Sequence, residues 1–339
     1  MTAVDLILLA DQSVRPFESI PVIDVSGLSG DAKNKARIAS EIREACIHVG
    51  FFYVKNHGID EAMIASTVDA ARRFFELPLE EKMKLDAQQT SHLRGYYPPG
   101  QRRLSRESFE IGPDVDASPN IPMSGRNLWP SANVIQDFEE PVSKYYYEVT
   151  GFALKLFSAF ALALNLPEDY FADKVRQYLG ESTNYLLVVP SGQVQNGAAT
   201  MRLAHYAPQT TVVGEQEPGI IEHTEYCFTI LWQDEHRALQ VKNTSGEWID
   251  AHPIPGTFII NIADQLTRMT NGIFKSTIHR VIHTSGGHRY SMPLFFGIDY
   301  NTNLEVLPSC VSMSRPTRYE PILVGEYIKR RKTKAYDIK

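Results

Sequence analysis

From about Glu181 onward the chain breaks into short runs of β-branched and aromatic residues separated by Gly, Pro, Asn and Asp. That punctuation constrains the fold most, because many short strands with turn residues between them read as an antiparallel sandwich or barrel. The first part reads differently. Ile20-Pro21-Val22-Ile23-Asp24-Val25 spells a short strand, Asn34 to His48 carries apolar residues at helical spacing, and Gly50 to Gly58 reads as a second strand closed by a turn. Asp60 stands where a helix running towards Phe75 needs its N-cap. A long amphipathic helix is predicted from Pro141 to Leu164, with Tyr147, Phe152, Leu156, Phe160 and Leu164 near one stripe and Pro167 beyond its end. The expected fold class is mainly β with packed helices. It divides into an N-terminal α/β region over 1–130, a helical spine over 131–180, a β-rich core over 181–310 and a C-terminal helix over 311–339.

Composition excludes several classes of function. A hydrophobic share of 43% with 22% charged residues is that of an ordinary globular protein, and a net charge of -6 gives no footprint for nucleic acid. The one basic cluster, Lys329 to Lys334, reads as a solvated helix end. No apolar run approaches the roughly 18 residues of a membrane span, and the first ten residues lack the basic start of a secretory leader. Cys46, Cys227 and Cys310 are widely spaced and odd in number, which fits a reducing compartment and no CxxC site. A cytoplasmic enzyme is expected, a monomer or homodimer, with a small-molecule substrate and neither a nucleic-acid nor a membrane partner.

Within the β-rich half, His223 and Glu225 are two residues apart in Ile220-Ile221-Glu222-His223-Thr224-Glu225-Tyr226, so in an extended strand both side chains leave one face. His279 follows in another β-prone run, Lys275 to Val281. Two imidazoles and one carboxylate on one face of an octahedral ion leave three positions open, which suits Fe(II) that must bind a bidentate cosubstrate and then dioxygen. Ten residues beyond His279, alternation in Arg289-Tyr290-Ser291 turns a guanidinium and a hydroxyl to one side. That pair fits the far carboxylate of a dicarboxylate such as 2-oxoglutarate chelated at the iron. An isolated H-x-E is common by chance; the ordered set carries the assignment. His48, His92, His236, His252 and His288 have no comparable partners and read as surface or packing residues, as does His283.

The chain resembles the isopenicillin N synthase-like family of 2-oxoglutarate/Fe(II)-dependent dioxygenases over nearly its whole length. The likeness lies in Ile20 to Asp24, Gly50 to Gly58, Arg94-Gly95-Tyr96, Glu107 to Gly112 and Asn127 to Pro130. It continues in Trp248, in Pro255 to Asp264 and in Thr270 to Val281. The resemblance implies a distorted double-stranded β-helix, or jelly roll, with the metal at its mouth held by His223, Glu225 and His279. It also implies cosubstrate contacts from Arg289 and Ser291 at the far carboxylate and from Tyr206, which helps hold the metal-bound end. The implied reaction couples oxidative decarboxylation of 2-oxoglutarate, with Fe(II) and O2, to oxidation of an unactivated C–H bond by hydroxylation, desaturation or ring closure. Such activity is helped by ascorbate in vitro and is typical of specialised metabolism. Alternatives are a 2-oxoglutarate-independent Fe(II) oxidase of the same fold, a zinc hydrolase and a non-catalytic small-ligand module.

Three departures from the family pattern stand out. Glu225 replaces the usual aspartate, which keeps the ligand type and argues against a halogenase. Ala204 replaces the asparagine of the R-L-N-Y-Y-P-P strand, and Met269 replaces a frequent tryptophan. Arg202 shares a face with Ala204 and Tyr206, so two readings stand for it: a pocket residue meeting an acidic substrate group, or an outer salt bridge. Tyr226, Phe296 and Leu186 are further candidate pocket walls. Leu93 to Gln101 and the helix near Glu320 to Arg331 are candidate mobile elements over the pocket.

Overall fold

The computed structural model describes residues 6–7, 9, 15–100, 105–117, 123–175, 199–208, 219–283 and 286–336. The strands are β1 (Val22–Asp24), β2 (Phe51–Lys55), β3 (Gly95–Tyr97), β4 (Arg106–Ile111), β5 (Ala199–Tyr206), β6 (Ile220–His223), β7 (Phe228–Gln233), β8 (Leu239–Lys242), β9 (Trp248–Asp250), β10 (Thr257–Asn261), β11 (His279–Val281), β12 (Arg289–Phe296), β13 (Asn303–Leu304) and β14 (Ile322–Leu323). The helices are α1 (Ala32–His48), α2 (Glu61–Phe75), α3 (Leu79–Met83), α4 (Glu139–Ala163), α5 (Asp264–Met269) and α6 (Val324–Tyr336).

An eight-stranded sheet runs β1-β2-β10-β7-β12-β5-β4-β3, and a four-stranded sheet runs β6-β11-β8-β9. One pocket is lined from both, the pattern of the jelly-roll core expected from the sequence. The N-terminal strands β1 to β4 join the same large sheet rather than forming one of their own. Asp60 caps α2, its carboxylate accepting from the Ala62 amide, and Asp31 does the same for α1 from Asn34. Helix α4 begins two residues before its predicted start and buries Phe152, Leu156 and Phe160, while Tyr147 is only half-buried. It packs on α1, α2 and β12, so the outer face of the large sheet is closed by helix.

Gly50 shows how the N-terminal region fixes the core. Its φ is +76°, and a Cβ there would stand 2.5 Å from the Lys275 carbonyl oxygen and from Thr277 Oγ1. The turn from α1 into β2 can therefore lie against the segment that leads to His279. The Thr277 hydroxyl donates to the Val49 carbonyl at 2.6 Å, and the Lys275 amide donates to the Cys46 carbonyl at 2.8 Å.

Two segments expected to be mobile are tied down. Arg94 is buried, and its guanidinium donates to the carbonyls of Pro113, Met123 and Gly125 and to Asn127 Oδ1, which ties together two of the sequence stretches that carried the family likeness, Arg94 to Tyr96 and Asn127 to Pro130. Gln101 lies outside the described residues, and α6 is docked through the contacts described below. Met269 is buried in the main core, as a packing residue would be.

Candidate active site

The small sheet brings two histidines together. His279 in β11 stands opposite His223 in β6, and the two rings lie with centroids 4.2 Å apart. Each ring is oriented by the backbone two residues before it: His223 Nδ1 bonds the Ile221 carbonyl at 2.8 Å, and His279 Nδ1 bonds the Thr277 carbonyl at 3.1 Å. With Nδ1 so engaged as a donor, Nε2 of each ring is left as the basic nitrogen, the arrangement that metal-ligating histidines require. Glu225 lies just past the end of β6, its Oε1 3.1 Å from His223 Nε2. One ligand atom from each of the three residues falls within 4.8 Å of the others. Donors at about 2.1 Å from one ion would be about 3–4 Å apart, so the set fits a single cation.

The electrostatics agree. Burial alone would raise the Glu225 carboxyl, but His223, His279 and Arg202 outweigh it and hold the group down to about 2. Burial and the neighbouring His223 lower His279 to about 4, so that ring is neutral at physiological pH. Burial opposes protonation of His223 as well, yet Glu225 wins there and raises it. The pair is poised to exchange a proton for a cation.

The large sheet supplies the other half. Arg289 faces Tyr206 across the β12–β5 pairing, and Ser291 faces Ala204. Arg289 is 1% exposed, yet among the described residues no carboxylate pairs with it. Its guanidinium lies 4.8 Å from the centre of the Tyr206 ring, donates to Gln233 Oε1 at 3.2 Å, and keeps Nε buried without an acceptor. A permanently charged group buried without a counter-ion is costly, and a ligand carboxylate would compensate it. The donor set thus fits the far end of 2-oxoglutarate.

One pocket joins these groups. Arg202, Tyr206, His223, Glu225, His279, Arg289 and Ser291 all line it, with Phe51, Ile259 and Val281 among its apolar walls. Arg202 forms the salt bridge of the second reading and also lines the pocket. Its Nε and Nη2 lie 2.7 Å from Glu110 Oε1, its guanidinium sits 4.9 Å over the Phe295 ring, and it still faces the pocket.

Two expected walls are corrected. Phe296 is fully buried on the opposite face of β12, packed 5.4 Å from the Phe157 ring, and Phe295 takes its place in the pocket. The two-residue period starting from Arg289 and Ser291 selects Pro293 and Phe295, so this error was avoidable. Tyr226 packs against the main core instead of lining the pocket. Leu186 lies outside the described residues. Thr229 and Asn261 were missed in the sequence; both line the pocket, and Asn261 Oδ1 is buried with no partner among the described residues.

Comparison with known proteins follows this geometry. Residues 20–132 match the family described as "non-haem dioxygenase in morphine synthesis N-terminal", and residues 198–298 match the 2OG-Fe(II) oxygenase superfamily. The 2-oxoglutarate-Fe(II) type oxidoreductase hxnY of Emericella nidulans is 34% identical over 91% of this chain and 88% of its own. This chain belongs to the 2OG-Fe(II) oxygenase superfamily. Among other members, the 1-aminocyclopropane-1-carboxylate oxidase of Dictyostelium mucoroides is 32% identical, covering 92% of this chain and 91% of its own. A full-length Neurospora crassa protein crystallised with alpha-KG and thymine superposes with a TM-score of 0.80 at 27% identity, over 94% of this chain and 97% of that one. As an oxygenase of this superfamily, the protein is an Fe(II)- and 2-oxoglutarate-dependent enzyme that uses O2 and acts on a small molecule.

Proposed function

We propose that His223, Glu225 and His279 hold the iron, that Arg289 and Ser291 hold the distal carboxylate of 2-oxoglutarate, and that Tyr206, whose ring lies against the Arg289 guanidinium, adds a further contact to the cosubstrate. The observation that carries this reading is Arg289, a buried cation with no carboxylate partner among the described residues, in the same pocket as a two-histidine, one-carboxylate set. When bound, the metal and cosubstrate supply the oxidising chemistry, which ends in succinate, carbon dioxide and an oxidised C–H position. The chain's own residues do the rest. His223 and His279 present Nε2 because backbone carbonyls take Nδ1, Glu225 supplies the negative charge, and Arg289 fixes the cosubstrate's direction. The apolar walls Phe51, Ile259 and Val281 keep water from the cosubstrate.

The substrate side is the edge formed by Arg202, Glu110 and Phe295. Because Arg202 already shares Glu110, this edge is close to neutral, which suits a small molecule with a polar group better than one recognised by a bare anion. Hydroxylation, desaturation or ring closure in specialised metabolism is the proposed outcome class. The test is 2-oxoglutarate turnover with Fe(II), read as succinate. Wild-type protein should show slow substrate-free decarboxylation, and His279→Ala should abolish it; unchanged succinate release from the variant would overturn the ligand assignment.

A further inference from the structure

Glu225 is the one candidate ligand outside a paired strand, so something other than sheet register must set where its carboxylate sits. The residue between the two ligands on this loop is Thr224. Its carbonyl accepts from Arg331 Nη2 at 2.6 Å, and its hydroxyl lies 3.0 Å from the same nitrogen. Arg331 belongs to α6, 107 residues away in sequence. The next carbonyl, that of Glu225 itself, accepts from the Asp264 amide at 3.0 Å. The Asp264 side chain closes the circuit: its Oδ2 lies 3.3 Å from Arg331 and 2.7 Å from the Tyr327 hydroxyl that donates to it. Two consecutive carbonyls on the ligand loop are thereby pinned, one from the C-terminal helix and one from the start of α5.

We infer that Arg331, Asp264 and Tyr327 are positioning residues that set the reach of Glu225 to the metal through the loop backbone. None of them needs to touch the ion. Oxygen ligands orient well when the groups behind them are themselves held, and removing such support costs roughly 10- to 100-fold in metal affinity in other metalloproteins. Support of this kind matters more here because glutamate has one more rotatable bond than aspartate, so its carboxylate samples a wider volume unless its backbone is fixed. The inference rests on the metal reading proposed above.

The test is Co(II) binding under anaerobic conditions, followed both by affinity and by the visible spectrum of the bound ion, below the unfolding temperature of each variant. Arg331→Met should weaken Co(II) binding by about tenfold and alter the spectrum, Arg331→Lys should fall between it and wild type, and Arg330→Met, which loses only an exposed pair with Glu326, should bind as wild type does. Should Arg331→Met fail to fold, Tyr327→Phe removes one hydroxyl and should shift affinity and spectrum the same way to a lesser degree. Wild-type affinity and spectrum in Arg331→Met, or in Tyr327→Phe where that variant stands in for it, would overturn the inference. So would equal weakening in Arg330→Met. His279→Ala separates the two readings: retained Co(II) binding there would remove the ligand set itself, whatever Arg331 does.

Discussion

The two halves of the pocket are built by different means. Arg289, Ser291 and Tyr206 sit in the interior of a continuous sheet, where register alone sets their spacing, and helix α4 packs behind it. The half that carries the proposed metal ligands rests on a short four-stranded sheet with a register irregularity between His279 and Val281, and one of those three residues, Glu225, lies off the strand altogether. What the small sheet lacks in strand pairing it gains from contacts reaching in from elsewhere: Gly50 and Thr277 behind His279, and α6 behind Glu225. An anchor for a large anion tolerates a rigid wall, whereas three donors converging on one ion need each to be adjusted separately.

Four experiments sharpen this contrast, from the largest effect down. Arg289→Gln removes the buried cation while leaving the metal half intact; it should raise the KM for 2-oxoglutarate by about 100-fold, the loss of a charge-assisted pair of roughly 3 kcal/mol, with Co(II) affinity unchanged. A fall in metal affinity of the same size would show that the halves are not separable. Lys82→Met breaks a buried pair with Glu107 at 2.7 Å, side chains 8% and 10% exposed, behind the cosubstrate strands. Chemical denaturation should register a loss of about 3 kcal/mol.

Gly50→Ala should cost about 2 kcal/mol, because a Cβ meets backbone at 2.5 Å with φ positive, and should also weaken metal binding through the His279 segment. Loss of stability with metal affinity untouched would uncouple that support from the site. The smallest effect concerns acid. His205, Lys82 and Tyr96 outweigh burial and hold the Glu107 carboxyl below its ordinary value of 4.5. A folded-state value that is depressed contributes stability above the unfolded value and loses it as pH falls through the folded one. Glu107→Gln should therefore make unfolding less dependent on pH below about 4.5 while lowering stability at neutral pH, as urea titrations across that range would record.

Local signals were legible in the sequence and distant pairings were not. The cap at Asp60, the helix ending before Pro167 and the alternation around Arg289 each follow from residues a few positions apart. The same alternation, applied consistently, would have chosen Phe295 over Phe296. Arg202 with Glu110, 92 positions away, and Arg331 with Thr224 have no local period that announces them. Nor did His205 and His288 show that they share a hydrogen bond at 2.8 Å, with His205 also meeting Glu107. His288, which reads as a surface or packing residue, completes a chain of polar side chains linking β4, β5 and the approach to β12.

If the buried Arg289 holds a dicarboxylate as proposed, the stability of the folded chain would depend on the supply of that ligand. Without a dicarboxylate, the fold must tolerate an uncompensated charge in its interior; with one, the folded form gains stability that grows with ligand concentration, about 2.7 kcal/mol at a hundredfold excess over the dissociation constant. A cell rich in 2-oxoglutarate would therefore keep more of this protein intact before a single substrate molecule is oxidised. On the proposed assignment, the cosubstrate would act as a conditional piece of the core.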